Sequence, residues 1–180
     1  RWHYGLGIDV AAHLVEVVAG KSLAEFLQQR IFDRLGMADT AFRVPLEKQC
    51  RLAKMYGLGD VTADTASAMS AREAPGSGIW PLDVSSSYPI DDGNFARGGH
   101  GLYSTMDDFF RFAQMLLNGG ELDGTRIIGR KTLEMMHANH LPLDLLPLVN
   151  NGVPNPGYGF GLGSRVLLDV AATGLPGSVG

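Results

Sequence analysis

The strongest constraint on the fold is a pair of adjacent helical patterns near the start of the chain, separated by a stop signal and a start signal. Apolar residues recur at helical spacing over residues 8–19, and Gly20 can supply the left-handed residue that ends a helix. Ser22 and Glu25 then have the spacing of a capping box, which begins a second helix that ends at Gly36. The inward residues of this second helix are Phe26, Leu27, Ile31 and Leu35.

The first of these helices has an unusually wide apolar face. One side of it carries Ile8, Ala11, Ala12, Val15 and Val18. Leu14 and Val17 extend that side further around the helix. Because a helix that is apolar over most of its circumference is normally covered by other elements, we expect the first helix to be well buried.

Further along the chain, start and stop signals predict two more helices. Residues 104–107 form a cap signal, the apolar stripe continues from Phe109 to Leu116, and residues 118–120 end the helix. After a tight turn at residues 122–124, residues 132–137 are predicted to form a short helix. Strand patterns are shorter and lie at residues 52–58, 158–162 and 165–170. The sequence therefore predicts a fold that is mainly α with a few short strands.

Composition limits the classes of function. Apolar residues make up 45% of the chain and charged residues 19%, as in globular proteins, and the formal net charge is -4. No run of Lys or Arg forms a basic stripe, which argues against nucleic acid as a partner, and no apolar stretch is long enough to span a membrane. Cys50 is the only cysteine. It permits a reducing or an oxidising compartment, and residues 1–4 do not form a signal peptide, so the localisation stays open.

Motifs of nucleotide and metal sites do not occur in the sequence. A phosphate-binding loop ending at residues 20–22 would need a glycine at position 15, which is Val15. His137 and His140 are three residues apart, but no third ligand or His-Glu-x-x-His motif accompanies them. The sequence therefore predicts neither a metal ion nor an organic cofactor.

Motifs of an activated serine are missing as well. No serine stands in a Gly-x-Ser-x-Gly elbow. A Ser-x-x-Lys pair would place a lysine one helical turn after the serine, ready to take its proton. The residues three positions before the four lysines are Val18, Pro45, Arg51 and Ile128. Lys131-Thr132 is followed by Leu133, so the Lys-Thr-Gly motif is also absent.

Tyr4 is the remaining candidate for catalysis. It stands in Tyr4-Gly5-Leu6 directly before the first helix, where a turn can hold a phenol at the mouth of a cleft. A phenol titrates near pH ~10, and a nearby ammonium group would favour the phenolate, which is a usable base. From these residues alone, a tyrosine that only packs beside Trp2 is the alternative interpretation.

Longer blocks of the sequence resemble one family of hydrolases. The blocks are WHYGLGIDV at 2–10, SLAEF at 22–26, IFDRLGM at 31–37, GGHGLYST at 98–105, DDFFRF at 107–112 and GYGFGLG at 157–163. In this order they resemble the β-lactamase-like serine hydrolases, and most of all the family VIII carboxylesterases and class C β-lactamases. Arg34 stands where that family frequently has proline.

The resemblance implies a chemistry for Tyr4. In that family the serine of Ser-x-x-Lys attacks an ester or amide carbonyl and forms an acyl-enzyme, while the lysine and a tyrosine handle the proton. A third motif on a core strand helps to form the oxyanion site. Carried over residue by residue, only Tyr4 falls within this chain. Leu6 stands where β-lactamases have asparagine, which favours a carboxylesterase acting on a small-molecule ester or amide.

The resemblance also implies the place of the chain in a larger fold. That fold is an α+β fold of the β-lactamase/transpeptidase type, and this chain is expected to form its helical region without most of the central antiparallel sheet. Residues 1–180 are then a single partial domain, with the serine and lysine before Arg1 and the third motif after Gly180. We expect the chain alone to be inactive, and its uncovered surfaces to promote self-association or instability.

Residues 71–94 are candidates for the substrate pocket. They are rich in Pro, Gly, Ser and Asp, and they are predicted to form a long irregular loop. Such loops often carry function, although a surface excursion without a role fits the pattern equally well. Trp80 and Tyr88 are its large aromatic residues, and we expect them to contact substrate together with Leu6.

Two other functions stay open. One is a β-lactamase, D-alanyl peptidase or acyltransferase of the same superfamily. The other is a non-enzymatic binding module on the same scaffold.

Overall fold

The computed structural model describes residues 5–54, 56–58, 79–81, 97–150 and 153–177. Contacts between Cα atoms divide the chain into two compact units. The first unit consists of residues 1–40, 96–100 and 104–180, and the second consists of residues 41–95 and 101–103. Most of the described helices belong to the first unit.

The first unit begins with the two predicted helical segments. Helix α1 spans Gly7–Ala19 and ends at Gly20, whose φ of 65° is the left-handed stop that the sequence predicts. Helix α2 spans Leu23–Leu27, and it continues through a π-helical turn, Gln28–Phe32, into α3, Asp33–Leu35. The capping box at the start of α2 is confirmed, and the hydrogen bonds from Ser22 lower the pKa of the Glu25 carboxyl.

Helix α4 spans Met106–Leu117 and begins at Thr105, whose hydroxyl accepts the backbone N–H of Asp108 at 3.2 Å. It is followed by a hairpin of β3, Glu121–Leu122, and β4, Thr125–Arg126. Asp123 and Gly124 have φ angles of 49° and 75°, as a two-residue hairpin turn requires. Helix α5 then spans Arg130–Met136, two residues longer at its start than the sequence pattern indicates.

The C-terminal part of the first unit contains short antiparallel hairpins. Strands β5, Leu148–Asn150, and β6, Val153–Asn155, form one pair, and β7, Tyr158–Phe160, and β8, Arg165–Leu167, form another. The prediction of a strand over residues 165–170 is wrong at its end, because helix α6, Val170–Thr173, begins there. The Asp169 side chain accepts the N–H of Ala172 at 3.1 Å and so starts that helix.

The second unit contains a 3-10 helix, Leu46–Arg51, and an antiparallel pair of β1, Tyr56–Leu58, and β2, Ile79–Pro81. The strand predicted within residues 52–58 is therefore confirmed in a shorter form. The prediction that residues 71–94 are irregular throughout is wrong for Ile79–Pro81, because these residues form an antiparallel strand pair with β1. The other residues of that segment lie outside the described part of the chain.

The core of the first unit lies between the α2–α3 segment and α4. Its buried members are Phe32, Leu35, Met37 and Met115. Partly buried residues around them are Leu27, Ile31, Phe112, Leu116, Leu122, Ile127 and Ile128. A mainly helical chain with short antiparallel strand pairs agrees with the predicted fold class.

The expectation that α1 is well buried is wrong. Ala12 is its only buried residue, whereas the side chains of Val17 and Val18 are 66% and 87% exposed. An apolar stripe shows which face of a helix can be covered, but not that another element covers it. The described contacts of α1 cover only a small part of its surface. Gly98 packs on it near Ala12, and the Glu16 side chain accepts the N–H of Leu23 at 2.9 Å. This hydrogen bond, with a smaller contribution from His13, lowers the pKa of the Glu16 carboxyl.

A buried polar network joins the end of the α2–α3 segment to the start of α4. The buried Asp108 carboxylate accepts the backbone N–H of Asp39 and the hydroxyl of Thr40, both at 2.8 Å. The Thr40 hydroxyl lies 2.7 Å from that of Ser104. One side chain therefore connects residues that are 69 positions apart in the sequence.

We predict that Asp108→Ala lowers the free energy of unfolding by about 2–4 kcal/mol, because the Thr40 hydroxyl and the Asp39 N–H lose their acceptor. Urea denaturation of wild type and variant measures the change. Asp107→Ala is the matched control, since Asp107 is an exposed acidic residue of the same helical turn. It should lose at most about 1 kcal/mol, the usual size of a helix-dipole interaction. Equal losses in the two variants would contradict the assignment.

Candidate active site

Leu6, at the start of α1, is one of the residues that the sequence places at the active site. Tyr4 lies outside the described residues. Leu6 is the N-cap residue of α1, and its side chain is 76% exposed. It makes no side-chain capping hydrogen bond, because an apolar side chain has no acceptor for the free N–H groups of the first turn. Leu6 is therefore accessible for contact with a substrate.

A glycine pair, Gly98 and Gly99, packs directly on the first turns of α1. A Cβ atom on Gly98 would lie 2.4 Å from the carbonyl oxygen of Ile8 and 2.7 Å from the Cβ atom of Ala12. No side chain fits at those distances, so glycine is required there for close backbone approach. The contact brings together two sequence blocks, 2–10 and 98–105, that the family resemblance identifies separately.

Asp9 adds a polar contact at the same place. Its Oδ1 atom accepts the backbone N–H of Gly99 at 3.2 Å, across 90 positions of sequence. Asp9 also lies in the first turn of α1, where a negative charge interacts favourably with the helix dipole. The sequence interpretation assigned no role to Asp9 or to the glycine pair, because neither periodicity nor motif spacing shows which distant segments meet.

His100 and Arg97 place polar groups on either side of the glycine pair. A guanidinium nitrogen of Arg97 lies 2.6 Å from Nε2 of His100. Because a guanidinium group only donates hydrogen bonds, Nε2 of His100 is the acceptor in this contact. The segment thus presents an exposed guanidinium group beside an imidazole ring.

The remaining predicted pocket residues belong to the second unit. Trp80 lies in β2, where its backbone pairs with Gly57 of β1. Tyr88 lies outside the described residues. The roles of Leu6, Trp80 and Tyr88 in substrate binding stay predictions.

Tyr103, also in the second unit, is a phenol that the sequence interpretation did not use. Its backbone pairs with Ala41 in an isolated antiparallel bridge. Burial raises the pKa of Tyr103. A phenol with a raised pKa gives up its proton less readily, so Tyr103 is poorly suited to the role proposed for Tyr4.

Within the described ranges, no group of three His, Cys, Asp or Glu residues is placed to hold a metal ion. Nε2 of His140 lies 2.8 Å from the carbonyl oxygen of Met135. None of the helices that the structure describes is long and apolar enough to cross a membrane.

An open groove of about 670 Å³ lies between the end of α4 and α5. Leu116, Leu117 and Leu133 provide its apolar wall, and Arg130 and His137 are among its polar lining residues. Its described lining contains no serine, threonine or cysteine, so the groove offers no hydroxyl or thiol nucleophile for acyl transfer.

Comparison with known proteins decides the family. The family model described as Beta-lactamase matches residues 1–180. This chain belongs to the Beta-lactamase family. Lovastatin esterase from Penicillium rubens is 31% identical over 177 residues, which cover 93% of this chain and 41% of that protein. A monacolin J acid methylbutanoyltransferase from Aspergillus terreus is 28% identical over 182 residues, covering 94% of this chain and 40% of that protein.

A solved structure supports the same fold. EstCE1, described as a hydrolase with promiscuous acyltransferase activity, superimposes with a TM-score of 0.72 and 24% sequence identity, covering 99% of this chain and 44% of that one. The chain spans about two fifths of the length of the Beta-lactamase family proteins that it matches. Esterases and acyltransferases are both among its relatives.

We predict that Gly98→Ala lowers the free energy of unfolding by about 1–3 kcal/mol, because the new methyl group overlaps the Ile8 carbonyl oxygen and forces the backbones apart. Thermal or urea unfolding measures the loss. Gly7→Ala is the matched control, since no atom lies within 4 Å of a Cβ atom built on Gly7. That variant should be as stable as wild type or more stable. A Gly98→Ala protein of wild-type stability would show that the close approach does not occur.

Proposed function

We propose that this chain is part of a serine hydrolase that cleaves small esters or amides through an acyl-enzyme, and that the complete protein is a carboxylesterase. The observation that carries the proposal is the contact at the start of α1. Gly98 packs on Ile8 and Gly99 donates to Asp9, and these two α1 residues belong to the same sequence block as Tyr4. The name and the 31% identity of the lovastatin esterase support a substrate with an ester bond. Leu6 is exposed and apolar at the start of α1. It therefore favours contact with an apolar part of a substrate, whereas the asparagine of β-lactamases offers a polar contact.

The residues have distinct proposed roles. Tyr4 accepts the proton of the serine hydroxyl during attack, and it donates a proton to the leaving group when the acyl-enzyme forms. The serine and its lysine partner belong to segments of the complete protein outside these 180 residues. Leu6, Trp80 and Tyr88 are proposed to contribute to substrate binding. No cofactor and no metal ion takes part in this scheme.

An acyltransferase is the second candidate, and the methylbutanoyltransferase relative is the observation in its favour. Hydrolysis and acyl transfer share the acyl-enzyme and differ only in whether water or another alcohol resolves it. Product analysis with p-nitrophenyl butyrate, with and without an added alcohol, separates the two activities. Nitrocefin turnover tests a β-lactamase. A complete reading frame without a Ser-x-x-Lys motif would instead favour a non-enzymatic binding module.

In the complete protein, we predict that Tyr4→Phe lowers kcat for p-nitrophenyl butyrate by about 10²–10⁴-fold, the usual contribution of a positioned proton-transfer group. The substitution keeps the aromatic ring and removes only the hydroxyl. Steady-state kinetics over a range of pH measures the effect.

Tyr158→Phe is the matched control for this substitution. The Tyr158 ring packs at 4.0 Å under the Arg165 guanidinium, and phenylalanine retains that contact. We expect its kcat to stay within about twofold of wild type. Equal kcat values for Tyr4→Phe and wild type would remove Tyr4 from the mechanism.

The 180 residues alone are predicted to form no acyl-enzyme, because the sequence has no Ser-x-x-Lys pair. Intact-mass spectrometry after treatment with an activated ester measures acylation directly. The complete protein serves as the positive control. A stoichiometric acyl adduct on a serine of the short chain would overturn this prediction.

A further inference from the structure

Among the described residues, few contacts hold the start of α1 in place. Leu6 provides no capping hydrogen bond, and Ile8 and Val10 on the first turn are exposed. Helix ends without a side-chain cap and with little burial fray easily, since the first N–H groups have no intrahelical partner. A residue that extends from such an end samples many orientations unless another contact holds the first turn in place.

Asp9 and Gly98 supply that contact from two directions. The Asp9 carboxylate accepts a hydrogen bond from the N–H of Gly99 at 3.2 Å, which holds Gly99 near the first turn of α1. The backbone of Gly98 rests against the Ile8 carbonyl oxygen and Ala12, which limits how close the segment can come. An attractive hydrogen bond and a steric stop together fix the separation between the first turn of α1 and the glycine pair.

We propose that Asp9 is a positioning residue for the reaction: by holding Gly99 against the first turn of α1, it fixes the start of the helix that follows Tyr4 in the sequence. The inference rests on the proposed role of Tyr4. Proton transfer requires heavy atoms within hydrogen-bond reach, and a misplacement of about 1 Å can cost about 10²-fold in rate. Asp9 is five positions from Tyr4 in sequence and acts through the backbone, not through contact with the reacting atoms.

The first test compares three substitutions at this position in the complete protein, assayed with p-nitrophenyl butyrate. Asp9→Ala and Asp9→Leu remove the acceptor, and we expect kcat to fall about 10- to 100-fold with KM within about threefold of wild type. Asp9→Asn keeps an amide oxygen in the same place and should recover most of kcat. Asp9→Leu has nearly the size of asparagine and a high helix propensity, so it provides the measurement if Asp9→Ala folds poorly.

Asp107→Ala is the matched control. Asp107, like Asp9, is an acidic residue in the first turn of its helix, so both substitutions remove a similar interaction with the helix dipole. We expect its kcat to stay within about twofold of wild type. An equal fall in kcat for Asp107→Ala and Asp9→Ala would assign the effect to general destabilisation and overturn the inference.

A double-mutant cycle with Tyr4→Phe separates this inference from the proposed function. If Asp9 acts through Tyr4, Asp9→Ala lowers kcat by less than about threefold in the Tyr4→Phe background. The same factor in both backgrounds, or an unchanged kcat for Asp9→Ala beside an impaired Tyr4→Phe, would overturn the positioning role and leave the proposed function intact. A fully active Tyr4→Phe would overturn both.

Discussion

The first unit depends on one buried carboxylate, that of Asp108. Its side chain accepts from the backbone of Asp39 and from the hydroxyl of Thr40, which joins the end of the α2–α3 segment to the first turn of α4. Thr40 has a single hydroxyl proton, and an ionised carboxylate can only accept. Thr40 therefore donates its proton to Asp108, and its oxygen lies 2.7 Å from the Ser104 hydroxyl. Burying a carboxylate is costly, and these charge-assisted hydrogen bonds offset the cost.

The network also determines which residues can meet in the core. Once Thr40 is joined to the start of α4, Leu35 and Met37 are held near Met115, the buried residue in the middle of that helix. Arg111 reinforces the same arrangement, because its side chain donates to the carbonyl oxygen of Leu35 and to Asp123 at 2.8 Å. Polar contacts at the surface of the core therefore fix the register in which its apolar residues pack.

Local signals in the sequence predict the helices of this structure well. Gly20, the capping box at Ser22 and the stop after Leu117 each depend on residues a few positions apart, which is the range over which backbone conformation is decided. The strands are less predictable, because Ile79–Pro81 is stabilised by pairing with β1 and its own pattern is short. Sequence spacing in particular does not reveal the contact between Asp9 and Gly99.

The exposure of α1 shows a different limit of sequence patterns. Its apolar face is wide, yet Val17 and Val18 remain exposed while Met115 of α4 is almost fully buried. A stripe reports the face that a helix can bury, whereas the burial itself depends on segments far away in the chain.

Helices α1 and α4 illustrate two ways of holding a helix in position. Helix α4 is fixed by apolar burial, in which many contacts share the constraint, and by the hydrogen bonds of the Asp108 carboxylate. Helix α1 has little burial, and its first turn depends on a hydrogen bond from Gly99 and on a close backbone approach at Gly98. The hydrogen bond defines a direction, and the close approach at Gly98 defines a distance, because a Cβ atom there would overlap the Ile8 carbonyl oxygen. A proton-handling group needs placement within about 0.5 Å, and a few directional contacts satisfy that need where a broad apolar contact would not.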